Sequence, residues 1–234
     1  GQARLVAVGR ALLAHPRLLL LDEPLTGLDP ALRRRVLAYL LRLRNTPDLR
    51  ALLVRHDFSG FLPLADDMAV LRGGSVRETG PPASLMGAAL ADAAAGRVET
   101  TLVGRVTDVS GHDAAVDLDG ATLSLSFPGR KPGADAVITV AAEDVLLTVD
   151  PAPRTSARNV LAGTVAELQP AGSHWLVLVD AGPRIWAEIT DAARVDLGLE
   201  AGSAVTLLIK ASALRGVGLS GGAGLAYREP GPVR

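Results

Sequence analysis

The run "LLLLDEPLTGLDP" at 18–30 ends an apolar stretch in two adjacent carboxylates, Asp22 and Glu23, and sets a third, Asp29, just beyond a Thr-Gly-Leu turn. An acid at the carboxyl end of a buried parallel strand lies on the sheet edge where α/β proteins bind ligands. Asp22 there has the hard-oxygen chemistry to hold a magnesium ion, directly or through water. Glu23, one residue on and pointing differently, can accept a proton from an attacking water. His56 closes the next apolar run, "LLVRHD", and can donate a hydrogen bond to a terminal phosphate or orient that water. Each residue alone has a plainer reading: a solvated strand end for Asp22 and Glu23, a helix N-cap for Asp29 before Pro30, a structural role for His56. The whole string, followed by "LLVRHD", favours the chemical reading.

A second set of residues lies far along the chain. "TSARNVLAG" (155–163) carries Ser156 and Arg158, and "LLIKASALRG" (207–216) carries Lys210 and Ser212. A tetrahedral dianion is held by hydroxyls and backbone N–H groups with one or two cations nearby. Backbone N–H groups around Ala157 and Ala211 are expected to help. On residue types alone the plainer reading wins: Arg158 and Lys210 as solvated strand-end charges and the serines as turn formers.

The elements that must position these residues follow from periodicity. In "QARLVAVGRALLAHP", Leu5, Val8, Leu12 and Leu13 make a helix face, which His15-Pro16 ends. "RLLLLD" reads as a strand buried on both faces. "PALRRRVLAYLLRLR" is a helix with Pro30 at its start and Leu32, Val36 and Leu40 on one face. "LRALLVRHD" is the next strand, "DDMAVLRGGSVRETG" a hairpin about Gly73-Gly74, and "PPASLMGAALADAAA" a helix. This alternation implies a parallel sheet covered by helices over 1–95.

From about Arg97 the grammar changes to short alternating strands, in two series. "GRVTDV" matches "GTVAEL", and "KPGADAVITVAAEDVLL" matches "LEAGSAVTLLIKASALR". The second series adds "TDAARVDLG", a candidate short helix. About five strands per copy predicts two small OB-like antiparallel barrels, 97–150 and 155–218, with a flexible tail at 219–234. Copies this small bury little core, so the two are expected to pack together or on a partner. In the first copy "AAEDVLL" replaces the cationic string, and Glu143 and Asp144 would repel a dianion.

Composition narrows the rest. Hydrophobic residues are 48% but aromatics only 3%, so Ala, Leu and Val fill the core. The net charge of -1 argues against nucleic acid held by a broad basic field. The absence of cysteine excludes disulfides and thiolate metal sites. No stretch approaches the roughly 20 apolar residues of a membrane span, so any membrane role runs through a partner.

The string "GQARLVAVGRALLAHPRLLLLDEPLTGLDP" resembles the end of the signature motif, the Walker B strand and the D-loop of ABC transporter ATP-binding subunits. "LLVRHD" is similar to the H-loop, and "MAVLRGGSVRETGPPASL" to the segment closing that nucleotide-binding domain. The resemblance spans residues 1 to about 92, although Ala3 and Leu5 stand where polar or basic residues are usual. It implies ATP and magnesium as cofactors. Asp22 becomes the magnesium-side aspartate, Glu23 the general base, His56 the switch histidine and Asp29 the D-loop aspartate. Gly1 and Gln2 become the remainder of the signature motif that faces nucleotide. No G-x-x-x-x-G-K-[ST] occurs in the sequence. The chain is therefore expected to be the C-terminal portion of a longer ATPase, inactive alone.

"TSARNVLAGTV" with "LGLEAGSAVTLLIKASAL" resembles the molybdate-binding Mop domain, which forms the TOBE region of molybdate-importer ATPases. Together the resemblances imply a partial P-loop NTPase domain followed by tandem OB-like TOBE/Mop barrels. They imply an importer ATPase regulated by molybdate or tungstate, working as a homodimer on transmembrane permease subunits at the cytoplasmic face of the inner membrane. Two alternatives stay open: the ATPase of a sugar, polyamine or sulfate importer with non-binding barrels, and a non-catalytic oxyanion-binding module.

Overall fold

The computed structural model describes residues 2–44, 49–55, 65–82, 85, 98–118, 120–127, 131–151 and 154–219. Gly1 and His56 lie outside the described residues, as does the tail beyond Leu219.

Helix α1 spans Gln2–Leu13. His15 then takes a φ of +48°, which turns the chain out of the helix ahead of Pro16, where proline disfavours continued helical backbone. Strand β1 is Leu18–Asp22 and β2 is Arg50–Val54; they pair in parallel, with Leu20 opposite Leu52 and Asp22 opposite Val54. Helix α2, Pro30–Arg44, lies between them in sequence. The Asp29 carboxylate accepts the Leu32 N–H at 3.0 Å, an N-cap immediately before a proline whose missing N–H costs nothing at that position. Strands β3 (Met68–Arg72) and β4 (Ser75–Gly80) form an antiparallel hairpin. Gly73 and Gly74 both have positive φ, as a tight two-residue turn requires.

Strand β1 is not buried on both faces. Leu19 and Leu21 are buried under α2 in a cluster with Leu25, Val36, Leu37, Leu40 and Leu41, while Leu18 and Leu20 are 56% and 66% exposed. Among the described residues β1 has β2 as its only paired neighbour, and Leu52 and Val54 are exposed too. The burial pattern is that of a sheet covered on one side.

The all-β half begins with β5 (Glu99–Ser110), β6 (Asp113–Asp117), β7 (Thr122–Ser126) and β8 (Asp135–Ala141). A 3-10 turn, Ala142–Asp144, leads to β9 (Val145–Thr148). The second copy supplies β10 (Asn159–Ala171), β11 (His174–Asp180), β12 (Arg184–Thr190), the short helix α3 (Asp191–Asp196), β13 (Ala204–Ile209) and β14 (Arg215–Leu219). The inserted "TDAARVDLG" is thus a helix, capped by the Thr190 hydroxyl.

The repeat is explicit in the backbone. Strands β5 and β10 each carry a bulge, after Val106 and after Val165. Val106 exchanges hydrogen bonds with Gly133 and Ala134, and Val165 does the same with Gly202 and Ser203. Gly104 and Gly163 occupy equivalent positions in β5 and β10. A Cβ on Gly163 would sit 2.7 Å from the Asp180 carbonyl, and one on Gly104 would meet the Asp117 carbonyl more closely still.

The sheets cross the repeat boundary. One runs β14-β8-β5-β6-β7 and the other β12-β11-β10-β13-β9. Each copy therefore places four strands in its own sheet and its fifth in the other's: β9 pairs with β13, and β14 with β8. Both inner faces enter one core, with Val106, Leu123, Leu125 and Ile138 from one copy and Val165, Val177, Ile185 and Leu207 from the other. On the outside of the first sheet, Val137 and Val103 pack against the α2 cluster. Among the described residues no helix is long and apolar enough to cross a membrane.

Candidate functional sites

The acidic strand end lies on the open side of the small parallel sheet. Asp22 is exposed and shares its face with Leu20, Leu52 and Val54, opposite α2. Glu23 turns away. Its φ is +46°, a left-handed backbone uncommon for a side chain of this kind, and its N–H donates to the Val54 carbonyl at 3.0 Å. The Thr26 hydroxyl donates to its Oε2 at 2.5 Å. Backbone strain of this type concentrates at functional positions. The Glu23 carboxylate is thus held by its own loop.

Asp29 serves as the N-cap of α2. Gln2 is the first residue of α1. Among the described residues no three His, Asp or Glu side chains converge as a metal site. Asp22 could therefore supply one ligand to a magnesium ion, with the remaining positions left to phosphate oxygens and water, the coordination this ion favours.

The two cationic strings meet at one end of the adjacent interior strands β10 and β13 of the second sheet. Asn159 opens β10 and Ile209 ends β13, and the two are paired. Arg158 and Lys210, the next residues outward, leave the sheet at the same end. Ser156, Arg158, Lys210 and Ser212 are all exposed. The Ala213 N–H donates to the Lys210 carbonyl at 3.0 Å, closing a turn about Ala211 and Ser212. Among the described residues neither Arg158 nor Lys210 has an acidic partner. The Ala157 N–H, expected to face an anion, donates instead to the Thr155 hydroxyl at 3.3 Å, a local turn typical of Ser and Thr.

Two residues at this end escaped the sequence reading. Arg215 donates from Nη1 to the Ser212 carbonyl, adding a third cation beside the turn. Asn159 is 2% exposed, and its side chain makes three hydrogen bonds. The one sequence signal was its place directly after Arg158, a lone amide opening an apolar strand.

At the equivalent places in the first copy stand Glu99, which pairs with Ala141, and the 3-10 turn carrying exposed Glu143 and Asp144. The same backbone thus presents cations in one copy and carboxylates in the other.

Residues 155–215 match the TOBE domain family. The chain is 39% identical over 219 residues to the molybdenum import ATP-binding protein ModC of Paramagnetospirillum magneticum, covering 90% of this chain and 60% of that protein. It is 37% identical over 227 residues to the protein of the same name from Rhodospirillum rubrum, covering 92% and 61%. With the Brucella abortus protein of that name it shares 35% identity over 213 residues, 90% of this chain and 59% of that protein. The chain is thus homologous over nine-tenths of its length to proteins with that name and carries a TOBE domain, and it spans about 60% of the length of these curated relatives. Among solved structures, a molybdate-bound form of the cytoplasmic molybdate-binding protein ModG aligns with 28% identity and a TM-score of 0.44, over 50% of this chain and 94% of that one.

Proposed function

We propose that this chain carries the Walker B to TOBE region of the ATP-hydrolysing subunit of a molybdate or tungstate importer, and that its second barrel binds the oxyanion to regulate transport. Homology to molybdenum import ATP-binding proteins over nine-tenths of the chain supports the ATPase assignment. In that reading Asp22 holds magnesium at the nucleotide, Glu23 is the general base, His56 contacts the terminal phosphate, and Asp29, Gly1 and Gln2 line the facing subunit's nucleotide. The subunit works as a homodimer against transmembrane permease subunits on the cytoplasmic face of the membrane.

The observation that carries the oxyanion part is the pairing of Asn159 with Ile209, because it brings Arg158 and Lys210 to one end of these strands beside the Ser156 and Ser212 hydroxyls. Two cations offset the cost of taking a dianion out of water, and the hydroxyls supply directed donors. The four residues are open to solvent in one chain. A second copy of the chain, packed over this end, would exclude water from the bound anion. Donors spaced for the longer metal–oxygen bonds of molybdate and tungstate would serve the smaller sulfate poorly.

Titration calorimetry of the full chain with molybdate, tungstate and sulfate tests the reading. Heat is expected with the first two, and much weaker binding with sulfate. Lys210→Ala is expected to reduce molybdate affinity at least about ten-fold, the cost of about 1.5 kcal/mol for one charge-assisted bond, without unfolding the barrels. A folded chain that takes up no molybdate would favour a non-binding barrel of the sugar-importer type.

A further inference from the structure

Asn159 lies between the two cationic strings and is bonded beyond both. It follows Arg158 directly. Its Nδ2 donates to the carbonyl of Ile209, the residue before Lys210, at 3.2 Å. The same Nδ2 donates to the Ser124 carbonyl at 3.0 Å, and Oδ1 accepts the Ser124 N–H at 2.6 Å. The orientation of the amide is forced, since a backbone N–H can only donate and a carbonyl only accept. Ser124 belongs to β7, the edge strand of the other sheet. Among the described residues β7 pairs with β6 alone, and the Asn159 amide engages the backbone N–H and carbonyl of Ser124 much as a neighbouring strand would.

The first copy offers an internal comparison. Thr100 occupies the place of Asn159 and pairs with Val140 as Asn159 pairs with Ile209. Its hydroxyl accepts the Trp186 N–H on β12, the other sheet's edge strand, at 3.0 Å. A single bond thus joins the sheets where no cationic string is present. Where Arg158 and Lys210 stand, the joint is a three-bonded buried amide. The two additional bonds are those that the amide nitrogen makes to Ser124 and Ile209.

We infer that Asn159 is a positioning residue of the oxyanion site: it fixes the Arg158 and Lys210 strings relative to each other and docks both on β7 of the other copy. The outward positions of β7 are Thr122, Ser124 and Ser126, and it is the Ser124 backbone that receives the amide. As a role in anion binding, this inference rests on the oxyanion reading above. As a statement about what holds the two strings, it is tested without any anion.

The experiment compares Asn159→Thr, which installs the first copy's residue, with Thr100→Val, which cuts the equivalent joint, both in the full chain. Molybdate affinity by calorimetry and amide hydrogen exchange at 155–158 and 210–213 are the readouts. Asn159→Thr is expected to weaken molybdate binding about ten-fold or more and to speed exchange at both strings, whereas Thr100→Val lowers stability but leaves the affinity and those amides unchanged. Wild-type affinity and exchange in Asn159→Thr would overturn the inference, and so would an equal loss of affinity in Thr100→Val, which would reduce both joints to general support. If the folded wild-type chain binds no molybdate, the oxyanion reading fails, and the exchange comparison still decides what Asn159 holds. Should Asn159→Thr not fold, Asn159→Asp keeps the acceptor for Ser124 and loses both donated bonds, and its exchange rates decide the question in the same way.

Discussion

The hydroxyl of Thr100 accepts the backbone N–H of Trp186 across the two sheets, at 3.0 Å and in a buried setting. Trp186 sits on edge strand β12, which among the described residues pairs with β11 alone. Replacing Thr100 by valine keeps the shape and leaves this donor unsatisfied. A buried unpaired donor costs about 1–3 kcal/mol. Denaturant unfolding of Thr100→Val is expected to show a lower midpoint with an unchanged slope, since the surface exposed on unfolding is the same.

The crossing of β9 and β14 has a consequence for any division of the chain. A piece ending near residue 150 keeps β9 but loses β13, its partner, and loses β14 from its own sheet. It also exposes the halves of a core that Val106, Ile138, Val165 and Ile209 now share. Small single copies have little apolar burial to spare against chain entropy. The segments 97–150 and 151–234, made separately, are expected to lack dispersed amide spectra. Mixed or co-expressed, they should regain them. An independently folded 97–150 would contradict this arrangement.

Much of this architecture was legible in the sequence, for identifiable reasons. Asp29 before Pro30 announced the start of α2, and Gly73-Gly74 announced a turn needing two positive φ angles. The matched strings "GRVTDV" and "GTVAEL" gave the repeat that the bulges at Val106 and Val165 display. The exchange of fifth strands was not legible. "VLLT" and "RGVGL" alternate equally well in either sheet, and nothing local names the partner. The apolar run at 18–22 suggested burial on both faces, but composition does not reveal how many layers cover a strand, and Leu18 and Leu20 are exposed. Where β10 begins and β13 ends, Ser156, Arg158, Lys210 and Ser212 were visible by type. Asn159 was not, because its role depends on Ser124 in another sheet.

Glu23 offers a test of the proposed ATPase assignment. Phosphoryl transfer depends almost wholly on positioning and charge stabilisation. The sequence contains no G-x-x-x-x-G-K-[ST] cradle to hold the phosphates, and the Glu23 carboxylate is engaged by Thr26. The 234-residue chain alone is expected to release no phosphate from ATP with magnesium, and Glu23→Gln to leave that background unchanged. Turnover abolished by Glu23→Gln would instead assign the chain a complete site. In a protein that also carries the cradle, the same substitution should trap ATP and leave its binding intact.

The two copies also predict how the proposed anion binding could be removed without disturbing the fold. Glu143 stands in the first copy where Ser212 stands in the second, on an exposed turn after the equivalent strand. That backbone therefore accommodates a glutamate there. Ser212→Glu is expected to leave the unfolding midpoint near wild type, because surface changes away from caps and cores rarely exceed about 0.5 kcal/mol. In the oxyanion reading it removes a hydroxyl donor and brings a negative charge against a dianion. Like charges at contact distance repel by several kcal/mol at an effective dielectric of about 20, so affinity should fall at least about a hundred-fold. Calorimetry with molybdate, run beside thermal unfolding of the same sample, reads both quantities. Retained affinity in a folded Ser212→Glu chain would move the anion away from the Lys210 turn.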